Sequence, residues 1–160
     1  MTETRDVIQL LTEDHRAIID LAERLDAALD PAVVRELFLH VVERLAAHEA
    51  AEQQVLFPAV RTSSPAGGNE ASRRLSEHDE INELLAEMRC LPPDGFAFAK
   101  RSSALLLDIQ NHFQAEETEL FPRLSAGMKP IELFRLGAEV ARVMEHAPAF
   151  PAEPPRARLL

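Results

Sequence analysis

The 160-residue sequence contains no tryptophan, no tyrosine, a single cysteine and only five glycines. One cysteine, Cys90, rules out an internal disulfide framework and cannot build a thiolate metal site alone. It reads as a small residue near a helix end. Basic residues are also scarce: 17 Lys and Arg against 27 Asp and Glu give a formal net charge of −10. A nucleic acid or an anionic membrane demands clustered Lys and Arg, so neither is expected as a partner. No unbroken apolar run approaches the roughly 18 residues that suit a membrane-spanning helix. The opening residues, MTETRDVIQLL, lack the basic and apolar regions of a secretory signal, which makes a cytoplasmic location the expectation. Nor does any window alternate β-branched and aromatic residues with period two, so no strand is expected.

What the chain does contain is helix. Apart from Pro58, Pro122 and Gly137, glycine and proline fall in breaks at Pro31, 65–68, 92–95, 127–130 and from Pro148 onward, and the stretches between are rich in Ala, Leu, Glu and Arg. The pattern predicts long helices near 4–29, 32–61, 69–90 and 96–125, and a shorter one near 130–145. Short connections favour antiparallel neighbours. The fold expected is therefore all-α: an antiparallel up-down-up-down four-helix bundle with a short extra C-terminal helix. It occupies residues 1–146 as one domain, and residues 147–160 form a Pro-rich tail expected to be disordered.

The chemistry surfaces in the heptads. The core-facing series of the first helix is Ile8, Leu11, His15, Ile18, Ala22, Leu25 and Leu29. The second runs Leu37, Val41, Leu45, His48, Glu52, Val55 and Ala59, and the third runs Ala71, Leu75, His78, Ile81, Leu85 and Met88. The fourth runs Phe98, Leu105, Ile109, His112, Glu116 and Leu120. Six polar residues thus occupy slots that the pattern reserves for apolar side chains, each near the midpoint of its helix. In an antiparallel bundle midpoints share one height, so all six are expected in a single layer.

A lone buried histidine is an ordinary core residue. Four imidazoles and two carboxylates in one layer are not, because buried polar groups are costly unless paired, hydrogen-bonded or bound to metal. A pair of divalent ions removes that cost. The i, i+4 spacing stacks His48 over Glu52 and His112 over Glu116 on one face, so the imidazole can take a terminal position while the carboxylate leans inward to bridge. Such a bundle-core site is typical of di-iron and di-manganese proteins. Mixed N and O donors without thiolate suit iron or manganese better than calcium or copper(I), and zinc also accepts these ligand types. The phrase HEAAEQQVLFP returns as HFQAEETELFP, and DHRAIIDL returns as EHDEINEL. Each half of the chain is a helical hairpin supplying one His plus one HxxxE pair, which fits a symmetric two-metal centre.

At these residues the chain resembles the hemerythrin family, in its bacterial HHE cation-binding branch. The resemblance rests on the ordered set His15, His48, Glu52, His78, His112 and Glu116, on the LFP after each HxxxE, and on the acidic residue before His15 and before His78. It spans nearly all of residues 8 to 125. It implies a four-helix bundle around two non-haem iron ions, oxo- or hydroxo-bridged, with Glu52 and Glu116 as bridges. His15 and His48 would serve one iron, His78 and His112 the other. Oxygen-carrying members have a second histidine four residues after the one on the third helix; here Asn82 stands there, which argues against reversible oxygen carriage. Glu49, directly after His48, is the candidate replacement, although adjacent residues point about 100° apart on a helix. Glu117, Glu119, Asp79 and Glu80 read as surface charges, His40 and His146 as surface or capping histidines, and Phe57 and Phe121 as core plugs beside the metal layer. Pro58 and Pro122 are expected to kink or loosen their helices.

Three functions fit this reading. The first is a di-iron protein that binds or senses a small ligand, oxygen or nitric oxide, or dismutes hydrogen peroxide. The second is an iron donor for damaged iron–sulfur clusters, and the third is an iron-storage or regulatory module. No nucleophile triad or phosphate-binding loop competes. The sequence names no protein partner.

Overall fold

The computed structural model describes residues 4–147, among which there is no strand; residues 148–160, nearly all of the Pro-rich tail, lie outside the described residues. Helix α1 (Val7–Ala27) opens on Asp6, whose side chain accepts from the Gln9 amide at 2.9 Å while the Gln9 side chain accepts from the Asp6 amide. Helix α2 (Pro31–Ala51) opens on Asp30, which accepts from the amides of Ala32 and Val33. Its Pro31 sits in the first turn, where a missing N–H is harmless. α2 continues through one π-helical turn, Glu52–Leu56, into α3 (Phe57–Ser63). After α4 (Gly67–Arg89), α5 (Phe96–Ala115) passes through a second π turn, Glu116–Leu120, into α6 (Phe121–Gly127). α7 (Pro130–His146) comes last. The bundle consists of α1, α2–α3, α4 and α5–α6. α1 packs on α2 and α5, α4 packs on α5 and α3, and α7 lies against α1 and α2.

The loosening expected at Pro58 and Pro122 takes a definite form. Proline cannot donate to the carbonyl four residues back, and its ring crowds that turn. The ladder widens instead: Phe57 N–H donates to the Glu52 carbonyl, and Phe121 N–H to that of Glu116. Each π turn absorbs one extra residue and rotates the helix beyond it. The regular heptad predicts Ala59 in the core after Val55, but Leu56, Phe57 and Val60 are buried and Ala59 is only half-buried. Leu29 also departs from expectation. α1 ends at Ala27, and Leu29, beyond it, is 93% exposed.

Among the described residues the buried apolar side chains form two clusters. One contains Ile18, Val41, Leu45, Ile81 and Ile109. The other contains Leu11, Ala51, Ala71, Leu120 and Leu124. Along every bundle helix the change from one cluster to the other falls at the layer of His and Glu. Among the described residues no helix is long and apolar enough to cross a membrane.

Candidate metal centre

The six residues singled out by the heptads converge. His15 comes from α1, His48 from the last turn of α2, His78 from α4 and His112 from α5, while Glu52 and Glu116 each open a π turn. None is more than 3% exposed. The ring Nε2 atoms face the carboxylates at 2.9–3.1 Å in a crossed pattern. Glu52 directs Oε1 to His48 and Oε2 to His78, and Glu116 directs Oε1 to His112 and Oε2 to His15. Two groups result, His15, His48, Glu52, Glu116 and His78, His112, Glu52, Glu116, each with its donor atoms within 4.8 Å of one another. Both carboxylates belong to both groups, one oxygen toward each.

The far side of each ring is held as well. His15 Nδ1–H donates to Glu117 at 2.8 Å, and His48 Nδ1–H donates to Asp14 at 2.8 Å. His112 Nδ1–H donates to Glu77. Asp14 accepts in turn from Arg44 Nε at 2.8 Å, and Glu77 lies 3.3 Å from Arg74. A carboxylate can only accept, so these three rings keep a proton on Nδ1, and Nε2 is the nitrogen left to bind either a second proton or a cation. The side-chain amide of Gln53 stands 3.1 Å from His78 Nδ1. The set mirrors the duplication. The residue before each helix-hairpin's leading histidine, Asp14 or Glu77, backs the histidine of the next helix. The residue after each layer glutamate, Gln53 or Glu117, backs the leading histidine of the opposite hairpin.

These donors fit a pair of cations. His15 Nε2, His48 Nε2 and all four oxygens of Glu52 and Glu116 are buried without a hydrogen bond, despite their close approach. His78 Nε2 and His112 Nε2 face each other at 3.1 Å. In the chain alone, burial opposes a charge on His48, but Glu52 and Asp14 outweigh it and raise its proton affinity well above the usual imidazole value. Burial likewise opposes a charge on His112, but Glu116 and Glu77 push its pKa up to about 10. A proton and a cation therefore compete for the same nitrogens.

Comparison with known proteins agrees with this geometry. The family profile of the hemerythrin HHE cation-binding domain matches residues 6–130. The chain belongs to this family. A DNA nickase from Nostoc sp. is 31% identical over 117 residues, covering 73% of this chain and 32% of that protein. The iron–sulfur cluster repair protein YtfE of Cronobacter sakazakii is 35% identical over 99 residues, covering 54% of this chain and 44% of its own length. The chain thus spans less than half of either curated relative. The crystal structure of a hemerythrin HHE cation-binding domain protein from Mycobacterium kansasii superposes with a TM-score of 0.78 at 20% identity. That superposition covers 88% of this chain and 86% of that one.

Within this HHE domain the surroundings of the two groups differ. Phe113 stacks on His15 with centroids 3.9 Å apart, and Phe121 lies nearly parallel to the same imidazole at 5.6 Å. Phe57 lies 5.4 Å from His78, so both phenylalanines of the LFP phrases do adjoin the layer. Glu49 does not join either group. It is buried, and its Oε2 accepts from the Asn82 amide at 2.8 Å while its Oε1 has no partner. Burial pushes its carboxyl up, against the pull of His78 and the Asn82 amide. A surface hollow of about 170 Å³, lined by Glu77, Glu80, Ile81, Asp108, Asn111 and His112, reaches the second group.

Sequence reasoning missed the outer partners. Glu117 reads as a surface charge and is in fact 40% exposed, yet it holds His15 across the bundle. Asp14 and Glu77 carried a signal, since each precedes a layer histidine, but their targets lie on other helices. His40 is exposed as expected, and exposed His146 donates through Nδ1–H to the Arg142 carbonyl at 2.8 Å.

Proposed function

We propose that the two groups hold a pair of iron ions, with Glu52 and Glu116 bridging and the four histidines terminal, and that the pair binds, senses or turns over dioxygen, nitric oxide or hydrogen peroxide. The observation that carries this reading is the crossed pattern, in which each buried carboxylate offers one oxygen to each pair of imidazoles. When bound, an iron pair supplies redox chemistry and open coordination positions for a small ligand. The chain's part is to fix the donors and to keep them dry. Asp14, Glu77 and Glu117 hold rings in the ligating tautomer and make them stronger donors toward a cation. Phe57, Phe113 and Phe121 exclude water from the ring faces. At the position of the extra histidine in oxygen carriers, Asn82 is engaged with Glu49, which favours sensing or turnover over reversible carriage. Manganese and zinc are the competing occupants by donor type.

Iron–sulfur cluster repair is the second reading, favoured by the 35% match to the Cronobacter protein of that name. Nicking of DNA is disfavoured by the net charge of −10. The deciding experiment mixes reduced and oxidised protein with oxygen, nitric oxide and peroxide in turn, tracking the visible spectrum and gas evolution. Because the chain lacks Trp and Tyr, near-ultraviolet ligand-to-metal bands stand almost clear of protein absorbance. An aerobic preparation without such bands, and with well under one metal ion per chain, would refute the di-iron reading. Oxygen release from peroxide would select turnover. Inertness to all three ligands would select storage or repair.

A further inference from the structure

We infer that Gln53 and Glu117 make the two ion positions unequal: the position of His15 and His48 fills first, and that of His78 and His112 fills later and exchanges more readily. The inference rests on the two-ion reading above. Facing the ions, the positions are matched, since each offers two imidazoles, one oxygen of Glu52 and one of Glu116. Behind the ions, one histidine of each position is also matched. Asp14 with Arg44 backs His48, and Glu77 with Arg74 backs His112. The remaining pair breaks the symmetry. Glu117 backs His15 with a carboxylate at 2.8 Å, while Gln53 meets His78 with an amide at 3.1 Å.

That exchange changes the donor in two ways. An anionic acceptor on Nδ1–H makes the ring a stronger ligand, and a neutral amide does so less. A carboxylate, which cannot donate, also enforces the tautomer with a free Nε2. The amide of Gln53 carries both N–H and C=O, so it accommodates either tautomer of His78, including the one whose Nε2 carries a proton and cannot ligate. Glu49 does not restore the balance, because one of its oxygens is held by Asn82, the other makes no hydrogen bond to His78, and the residue lies outside the converging atoms. Access differs in the same sense. The hollow of about 170 Å³ reaches His112, whereas His15 lies under the stacked ring of Phe113.

The test titrates the metal-free full chain with Co(II) under nitrogen. It monitors the visible d–d bands together with the paramagnetically shifted ring N–H signals of ¹⁵N-labelled histidine. The signals of His15 and His48 should shift during the first equivalent, and those of His78 and His112 during the second. Gln53→Glu should tighten the second step by about tenfold, and Glu117→Gln should weaken the first by a similar factor. Gln54→Glu adds the same charge one residue on, at an exposed position, and should move neither step. Simultaneous filling, filling of the His78 position first, or equal effects of Gln53→Glu and Gln54→Glu would overturn the inference while leaving a two-ion site intact. Failure to take up two Co(II) ions would remove both.

Discussion

On the di-iron proposal, stripping the ions from the bundle with a reductant and a chelator should lower its melting temperature by about 10–20 °C, and adding Fe(II) back should restore it. The size comes from the layer. Six buried atoms, His15 Nε2, His48 Nε2 and the oxygens of Glu52 and Glu116, make no well-directed hydrogen bond among the described residues, although imidazole and carboxylate approach to 2.9–3.1 Å. A buried unsatisfied polar group costs about 1–3 kcal/mol, and six of them rival the roughly 5–15 kcal/mol that holds a whole domain folded. Protons taken up by His48 and His112 offset part of this, so the bare chain is expected to fold with a reduced margin. An ion present at a hundredfold its dissociation constant adds about 2.7 kcal/mol of linkage stability. Two ions add about twice that, and a domain of this size gains roughly 2–4 °C per kcal/mol. Differential scanning calorimetry at several free-metal concentrations reads the effect directly, because the midpoint must climb with the logarithm of metal. A midpoint that stays put when ions are removed and returned would show that the layer is satisfied without them, and the argument from orphaned donors would fall.

Individual residues give further expected outcomes. His112→Ala should strip metal from the purified protein by elemental analysis, whereas His146→Ala, at an exposed site with only a local carbonyl contact, should not; equal losses would refute the ligand set. In the chain alone the pKa of His112 stands at about 10, so below that pH an arriving ion must displace its proton. Apparent Co(II) affinity should therefore rise from pH 6 to pH 8, and metal uptake in unbuffered solution should acidify it; binding independent of pH would contradict this competition. At Gly137 an added Cβ would lie 2.4 Å from the Arg5 carbonyl oxygen. Gly137→Ala should destabilise the fold by about 1–3 kcal/mol in denaturant titration while leaving metal content unchanged.

Much of the centre was legible because a heptad sets a strict test. A histidine in a leucine slot stands out, and four of them with two glutamates at matched heights leave few other readings. The outer partners were not legible, because a hydrogen bond such as Glu117 to His15 joins residues on helices far apart in sequence, and an exposed glutamate on a helix looks like any solvated charge. The prolines announced an irregularity, but not that it would be a π turn beginning at the ligand itself. Hence a regular heptad runs one residue out of register after Glu52, with Ala59 where Val60 lies. Leu29 departs for a simpler reason. The periodicity runs on into a segment where the backbone has already left the helix, Ala28 being extended.

The split of the apolar interior has a consequence for how the molecule tolerates change. Val41 belongs to one cluster and Leu124 to the other, with the plane of imidazoles and carboxylates between them. Truncations on opposite sides share no packing partner, so their penalties should simply sum, whereas two truncations on one side should interact. Mechanically the chain is a pair of half-bundles clamped at a waist. Either half is free to drift in sequence, take a loop insertion or fit a new neighbour without forcing the other to repack, provided the clamp keeps its six side chains.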